Sequence, residues 1–515
     1  MTAGQQKGSP RAATVRPKTA AAPQKTSGGG QGARPRLRRT ISVGRAEDIS
    51  QTEQRIRRNQ PDEPIHKNCD SLLSWRAEFT EYSGFVNWGF TLLFLGGARL
   101  MLENIRKYGL LVDPPQWFVV LNGGPFRFGD RYPSLMTLLY LQVHAWVALA
   151  IEKLLARWVI SPVIGIILHT INIVMILILP HVVVHFIENI PLVGLTVISM
   201  SCVVLALKLS SYAHVNKWCR DDASGKRRYR SLSYSKSIAC FQLPASDRTA
   251  ADSPTPASEP IPEQRLVRYP DNLNLSDLYY YLIAPTLCYE LNFPRSGRVR
   301  PWFLLRRVLE LIVGLNMQVA LFQQWIIPSV RNSLEPFSRM DLTHSLERLL
   351  KLAIPNHLLW IMMFYLVFHS YLNLVGELTQ FGDRRFYLDW WNSPNINTFW
   401  RTWNIPVHRF AMRHVYLPLV RHRFSRFSAA VAVFFMSAFL HEYLVAAPLR
   451  LLRVWAFLGM MAQIPLDSLT AFIHKYFSPR LGNVIVWMSL IMGQPMAIMM
   501  YYHDYIIETH GDLVV

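Results

Sequence analysis

Residues 428–449 read SAAVAVFFMSAFLHEYLVAAPL, an apolar stretch that contains one histidine and one glutamate. About 20 apolar residues are enough for a helix to cross the roughly 30 Å hydrocarbon core of a bilayer. His441 is therefore expected at membrane depth, where an ionisable side chain usually faces a protein interior or a water-filled cavity. This makes His441 a candidate functional residue. A hydrogen bond to a helix carbonyl between packed spans is the structural alternative.

Apolar stretches of similar length recur along the 515-residue chain. With 51% hydrophobic and only 17% charged residues, they predict an all-α polytopic membrane protein. About nine transmembrane helices around a buried reaction chamber are expected, and 159–211 can be divided in more than one way around Pro180 and Pro191. The candidate spans are 85–105, 134–155, 159–186, 190–211, 302–327, 352–377, 428–447, 453–474 and 483–506.

Composition also predicts how the chain is organised. The expected segments are a disordered basic cytosolic tail at 1–70, the first four transmembrane helices at 71–213, a cytosolic loop at 214–300 with a low-complexity linker at 231–263, and the remaining helices at 301–515, including a cytosolic loop and amphipathic helix at 378–426. The tail lacks the apolar core of a signal peptide. Basic clusters at 226–230 and 421–426 favour cytosolic loops and a lumenal C-terminus.

The formal net charge of +20 is compatible with nucleic-acid binding. The basic clusters, however, flank candidate membrane spans, where Lys and Arg determine topology. We therefore expect no nucleic-acid partner. The five cysteines are scattered and show no CxxC pair, so neither a metal site nor a disulfide framework is predicted.

The segment between the sixth and seventh spans is rich in aromatic and amide residues. FYLDWWN at 386–392 is followed by WNIPVH at 403–408. An interfacial belt of tryptophans would account for the rings, but not for Asn404 and His408 among them. The mixture of apolar and basic residues at 406–420 predicts an amphipathic helix on the cytosolic membrane face.

These motifs, together with SAFLHEYLV at 437–445, resemble the membrane-bound O-acyltransferase family on its sterol and diacylglycerol acyltransferase branch. Further similar stretches lie at 268–296, 355–360, 459–466 and 492–505. The resemblance implies acyl transfer from acyl-CoA to the free hydroxyl of diacylglycerol in the endoplasmic reticulum membrane. It also implies a homodimer. Acyl-CoA is a co-substrate, so no cofactor is expected.

The resemblance further implies roles for individual residues. His441 is the expected general base, Asn404 is expected to bond the substrate or the developing oxyanion, and Gln494 is expected to orient the acceptor or thioester. The expected acyl-CoA contacts are Trp400, Arg401, Trp403, Asn404, His408 and Tyr416. Met460 and Gln463 suit a tunnel for the acyl chain, with ordinary packing as the alternative. The motif residues are Phe386, Tyr387, Asp389, Trp390, Trp391 and Asn392. Loop capping by Asn404 and interhelical bonding by Gln494 are the structural alternatives.

Two other functions remain open. A sterol O-acyltransferase shares the FYxDWWN element and the histidine, although NIPVH at 404–408 and the stretch at 269–282 favour the diacylglycerol branch. A polytopic proton-coupled transporter would use His441 as a proton relay, but no long internal repeat supports it. Glu442 is assigned a structural or local electrostatic role, because successive helical residues are turned by about 100° from one another, so it should not share the face of His441.

Overall fold

The computed structural model of the chain describes residues 83–114, 133–186, 191–224, 267–332 and 342–510. The predicted tail at 1–70 and the linker at 231–263 lie outside the described residues. Contacts divide the chain into two compact units, 1–93 and 94–515. Only 83–93 of the first unit is described.

The described regular structure is helical, with one isolated β-bridge between Arg295 and Phe381. In chain order the helices are α1 (Ser83–Tyr108), α2 (Pro133–Ala156), α3 (Pro162–Phe186), α4 (Leu192–Ala223), α5 (Leu275–Ile283), α6 (Pro301–Leu321), α7 (Ile327–Arg331), α8 (Leu342–Phe364), α9 (Leu372–Leu378), α10 (Ile396–Thr402), α11 (Ile405–Ala411), α12 (Leu417–Arg421), α13 (Arg426–Leu449), α14 (Trp455–Met461), α15 (Gln463–Tyr476) and α16 (Pro479–His510). The π-helical turns Phe322–Ile326, Tyr365–Tyr371 and Met412–Tyr416 join α6 to α7, α8 to α9 and α11 to α12, and a 3₁₀ turn, Trp390–Asn392, precedes α10.

Seven helical stretches among the described residues are long and apolar enough to cross a membrane. They are Ser134–Ala156, Pro162–Val183, Leu192–Ala223, Thr343–Leu378, Arg426–Leu449, Trp455–Tyr476 and Pro479–Glu508. The predicted all-α membrane architecture is confirmed, but the count of nine spans is not. Helices α1 and α6 do form at the first and fifth predicted spans. In the fifth, amides such as Asn316, Gln323 and Gln324 dilute the apolar character.

Helix α4 continues well beyond the predicted end of its span at residue 211. Its 32 residues correspond to about 48 Å at 1.5 Å per residue, more than the hydrocarbon core requires. Near its end, Arg220 bonds Glu152 of α2 at 2.7 Å, and Glu152 lies 3.0 Å from Nε2 of His169 in α3. Removing one partner of a buried ion pair typically costs about 3–5 kcal/mol, so this cluster ties three helices together.

Part of the predicted cytosolic loop at 214–300 packs against α4. The buried Lys208 ammonium donates to the main-chain oxygens of Tyr281, Leu282 and Ala284 at 3.0, 2.7 and 2.8 Å. A cation is favourable at the C-terminal end of a helix, where carbonyl groups lack helical partners. Lys208 thereby holds the end of α5 against the long helix.

The predicted amphipathic helix at 406–420 is formed by α11, a π-helical turn and α12. Its expected position on the membrane surface stays a prediction, and one face packs against protein, because Phe410 and His414 are buried. Nε2 of His414 lies 2.8 Å from the Ser211 hydroxyl of α4, and Arg413 donates to the Tyr289 carbonyl at 3.0 Å. These histidine and arginine side chains form hydrogen bonds with other segments of the same chain. Hydropathy along the sequence does not reveal such contacts.

Candidate active site

His441 lies on α13, which begins after Ser425 and ends before Arg450. Its Nδ1 is 2.7 Å from the main-chain oxygen of Ser437, one turn earlier. Because a carbonyl can only accept, Nδ1 carries a proton in this contact, so Nε2 is the nitrogen that has the lone pair when the ring is neutral. The residue is exposed, so the predicted burial of the ring is not observed. The hydrogen bond to the Ser437 carbonyl nevertheless fixes the orientation of the imidazole and leaves Nε2 as its basic nitrogen.

Contacts beside the histidine fix α13 to its neighbours. The Tyr443 hydroxyl donates to the Leu177 carbonyl of α3 at 2.7 Å. A carboxyl oxygen of Glu442 accepts from the Tyr501 hydroxyl of α16 at 2.7 Å and from the Phe457 main-chain nitrogen of α14 at 3.1 Å. Glu442 thus joins three helices, which confirms its expected structural role.

Tyr501→Phe is expected to weaken this attachment. The variant removes the donor at 2.7 Å from Glu442, which should lower the free energy of unfolding by about 1–3 kcal/mol. The melting temperature of the purified protein in detergent measures the effect. Tyr502→Phe removes a hydroxyl from the neighbouring position and is the control. Equal losses in the two variants would contradict the assignment.

The FYLDWWN segment is bonded to the residues that flank Asn404. The Ile405 nitrogen donates to the Phe386 carbonyl at 3.0 Å, and the Leu388 nitrogen donates to the Thr402 carbonyl at 2.9 Å. Phe386 is only 2% exposed and belongs to a buried apolar cluster. The motif therefore acts as a scaffold for the start of α11.

Other motif residues attach this scaffold to membrane helices. The Tyr387 hydroxyl is 2.9 Å from Nδ1 of His369, in the turn between α8 and α9. The Trp391 carbonyl accepts from Asn483 and Trp487 of α16 at 3.0 and 3.2 Å. The exposed members of the motif are Asp389, Trp391 and Asn392. The segment therefore braces two helical regions of the chain.

Trp403 belongs to an aromatic cluster. Its ring stacks on Trp360 with centroids 4.7 Å apart and planes 5° apart. Trp390, only 4% exposed, meets these two rings edge-on at 5.4 and 5.3 Å. Aromatic pairs in such arrangements contribute about 0.5–1.5 kcal/mol each beyond their buried area. The cluster fixes the segment in place, and contact between Trp403 and CoA stays a prediction.

Trp400 links the aromatic segment to the helix that carries the histidine. Its ring meets Phe434 of α13 edge-on, with centroids 6.5 Å apart. Phe434 precedes His441 by seven residues, which is two helical turns and about 10 Å along nearly the same face. Trp400 therefore lies against the face of α13 that carries the histidine. Among the described residues, no hydrogen bond joins His441 to Asn404 or Gln494.

Asn404 caps the N-terminus of α11, because its Oδ1 accepts from the Val407 nitrogen at 3.1 Å. The capping alternative is therefore observed. The cap uses only the side-chain oxygen, which leaves the hydrogen atoms of Nδ2 for donation. Capping and oxyanion stabilisation need different atoms of this amide, and the catalytic role stays a prediction.

His408, an expected CoA contact like Arg401, is partly buried. Burial, followed by the charges of Arg401 and Arg409, lowers its pKa to about 4. The ring is neutral at pH 7 and can contact a ligand by hydrogen bonding. Arg409 pairs with Asp383, whereas Tyr416 is partly buried in the turn after α11. Contacts of these residues with CoA stay predictions.

His408 is expected to make the protein less stable in acid. Its pKa in the folded chain is about 4, below the value of about 6.5 for an unperturbed histidine. Its contribution to stability is therefore complete above about pH 6.5 and is lost as the pH falls through about 4. Between pH 7 and pH 5, the melting temperature of His408→Asn should fall by less than that of the wild type. The exposed His422 provides the control variant His422→Asn, and a wild-type slope for His408→Asn would disprove the prediction.

The other predicted substrate contacts lie on three different helices. Gln494 of α16 accepts from Nδ2 of Asn356 in α8 at 3.4 Å, which is the interhelical alternative. Met460 is 9% exposed near the end of α14, and Gln463 at the start of α15 donates to the Gly459 carbonyl at 3.3 Å. Their substrate contacts stay predictions.

Several supporting residues were not found from the sequence. The Ser437 carbonyl orients the catalytic candidate. Side chains of α15 cap α10, where the Asp467 carboxylate accepts from the Asn397 nitrogen at 3.0 Å and the Thr470 hydroxyl accepts from the Ile396 nitrogen at 3.2 Å. Helical spacing could have indicated the serine. The capping of α10 joins residues about 70 positions apart and has no local signal.

Comparison with known proteins identifies the family. A model of the membrane-bound O-acyltransferase family matches residues 167–503. The chain is 47% identical over 440 residues to diacylglycerol O-acyltransferase 1 of Bos taurus, a match that covers 85% of this chain and 84% of that protein. The Homo sapiens protein of the same name is 46% identical over the same shares, and the one from Arabidopsis thaliana is 35% identical over 448 residues, or 86% and 78% of the two chains. These matches confirm the resemblance: the chain belongs to the membrane-bound O-acyltransferase family.

Proposed function

We propose that the chain is an acyl-CoA:diacylglycerol O-acyltransferase that produces triacylglycerol and CoA. The observation that carries the proposal is the orientation of His441, whose Nδ1 is bonded to the Ser437 carbonyl so that Nε2 is the basic nitrogen. Relatives with 46–47% identity over 440 residues, named diacylglycerol O-acyltransferase 1, support the choice of acceptor. The proposal requires neither a metal nor a further cofactor.

The proposed reaction needs one proton acceptor and one site for negative charge. Nε2 of His441 takes the proton of the diacylglycerol hydroxyl as its oxygen attacks the thioester carbonyl. Nδ2 of Asn404 donates to the oxyanion that forms. Collapse of this intermediate breaks the C–S bond, and the imidazolium returns the proton to the CoA thiolate.

The proposal includes a cellular setting. We place the chain in the endoplasmic reticulum membrane as a homodimer, with a cytosolic N-terminus and a lumenal C-terminus. Basic residues at 226–230 and 421–426 support cytosolic loops, because Lys and Arg accumulate on that side. CoA would then reach the site from the cytosol and diacylglycerol from the bilayer.

An assay of purified protein with radiolabelled oleoyl-CoA distinguishes the candidate functions. Diolein as acceptor should give labelled triacylglycerol, whereas labelled cholesteryl ester from cholesterol would identify a sterol acyltransferase. Proton flux in proteoliposomes without any ester product would identify a transporter. Absence of triacylglycerol with folded protein would reject the proposal.

A further inference from the structure

An open cavity of about 600 Å³ lies between the segment before α6 and the end of α9. Its lining residues are Ser296, Gly297, Arg298, Arg300, Glu377, Gly382 and Arg384. Three arginines and one glutamate give this cavity a net positive charge. None of these residues belongs to the proposed acyl-transfer site.

Glu377 holds two of the arginines in a fixed geometry. Its carboxylate is buried and accepts from Nε and Nη2 of Arg300 at 3.1 and 2.9 Å, and from Nη1 of Arg384 at 2.6 Å. The two-pronged contact with Arg300 leaves the hydrogens of its Nη1 for another acceptor. Two further bonds join Arg384 to the main chain, from Nε to the Phe381 carbonyl at 2.8 Å and from Nη2 to the Gly376 carbonyl at 3.1 Å. Because these side chains are already ordered, an anion would bind them at a low cost in conformational entropy.

Two further lining residues have hydrogen-bonding capacity. Arg298 is exposed, and the Ser296 hydroxyl is buried with no hydrogen-bond partner among the described residues. A buried polar group without a partner costs about 1–3 kcal/mol. Nearby, the Gly382 nitrogen donates to the Pro294 carbonyl at 2.8 Å, and a Cβ at Gly382 would lie 3.1 Å from the Pro294 main chain. The lining of the cavity therefore includes hydrogen-bond donors together with the closely packed main chain of Gly382 and Pro294.

The position of the cavity indicates the kind of anion. Glu377 is near the end of the membrane-spanning stretch Thr343–Leu378, and Arg300 directly precedes α6. At the start of α6, Trp302 is 82% exposed, and Leu305 and Leu309 are 47% and 52% exposed. A tryptophan at the start of an exposed apolar helix face is typical of a membrane–water interface. Basic pockets at this level suit phosphorylated lipid headgroups.

We infer that the cavity formed by Arg298, Arg300 and Arg384 around Glu377 binds the phosphomonoester of a phosphorylated lipid headgroup, as in a phosphoinositide of the cytosolic leaflet. Guanidinium groups match phosphate oxygens in geometry as well as charge. Free phosphate and the phosphates of CoA share this chemistry, so the source of the phosphate has to be tested. The site itself does not depend on the proposed acyl-transfer activity.

The test is the melting temperature of the purified full-length protein in a neutral detergent, without acyl-CoA. Phosphatidylinositol 4-phosphate should raise it by roughly 2–4 °C at saturation, and phosphatidylinositol, which lacks the phosphomonoester, should raise it less. In Arg298→Gln, the lipid concentration at half-maximal effect should increase at least about tenfold. Arg385→Gln changes an exposed arginine that is adjacent to Arg384 in sequence but does not line the cavity, and it should respond like the wild type.

The outcomes separate the lipid from other sources of phosphate. Equal responses to the two lipids, or equal responses of the two variants, would overturn the inference. So would an Arg298-dependent rise with inorganic phosphate or CoA when the phosphorylated lipid gives none. Without lipid, Arg298→Gln should have the same melting temperature as the wild type, because the substitution does not affect the fold. Arg298→Lys should recover part of the lipid affinity, because lysine restores the positive charge.

Discussion

His441→Ala is expected to abolish acyl transfer, with a fall in kcat of at least about 100-fold, the lower range for loss of a general base. Nδ1 donates to the Ser437 carbonyl at 2.7 Å, which leaves Nε2 as the nitrogen that can act as the base. Alanine cannot take the hydroxyl proton. Since the residue is exposed, its removal leaves no buried cavity, and the melting temperature should stay near that of the wild type. Triacylglycerol formation from oleoyl-CoA and diolein measures the loss.

Ser437→Ala is the control for this experiment. The serine hydroxyl is 3.4 Å from Nδ1 of His441, whereas the main-chain oxygen that orients the ring is unaffected by the substitution. Activity should therefore stay near the wild-type level. Substantial activity in His441→Ala would mean that the base lies elsewhere, and His408 would be the first residue to examine.

The sequence predicted features that depend on local pattern. The apolar stretch at 428–449 forms a helix at 426–449, because its length and composition suit a span. The separation of α3 from α4 near Pro191 also agrees with the prediction. Motifs at 386–392 and 437–445 were enough to identify the family, because they are long and specific.

Features that depend on distant partners were not predictable. Hydropathy placed the end of the fourth span near 211, yet α4 continues to Ala223, with Arg220 paired to Glu152. The family resemblance implied that Trp403 contacts CoA, which stays a prediction, but nothing in the local sequence indicated that its ring stacks on Trp360 of α8. Each pairing joins residues more than 40 positions apart. Charge or aromatic content alone could not distinguish a ligand contact from such a protein contact.

Asn404 combines a structural contact with a proposed catalytic one, and the amide chemistry allows the two to be separated. Its Oδ1 caps α11 through the Val407 nitrogen at 3.1 Å. Aspartate caps a helix about as well as asparagine, but an ionised carboxylate cannot donate a hydrogen bond. Asn404→Asp should therefore keep the melting temperature and lose about 100-fold or more in kcat, as expected for a lost oxyanion donor. Asn404→Ala should lose similar activity and also about 1 kcal/mol of stability with the cap.

Asn395 provides the control for the aspartate substitution, because it caps α10 in the same way. Its Oδ1 accepts from the Thr398 nitrogen at 2.8 Å, and the proposed reaction assigns it no catalytic role. Asn395→Asp should retain both melting temperature and kcat, since only the cap oxygen is needed there. A wild-type kcat in Asn404→Asp would mean that Asn404 acts only as a helix cap and has no catalytic role. A selective loss at Asn404, with no loss at Asn395, would instead assign the oxyanion contact to Nδ2, because both substitutions conserve the capping oxygen.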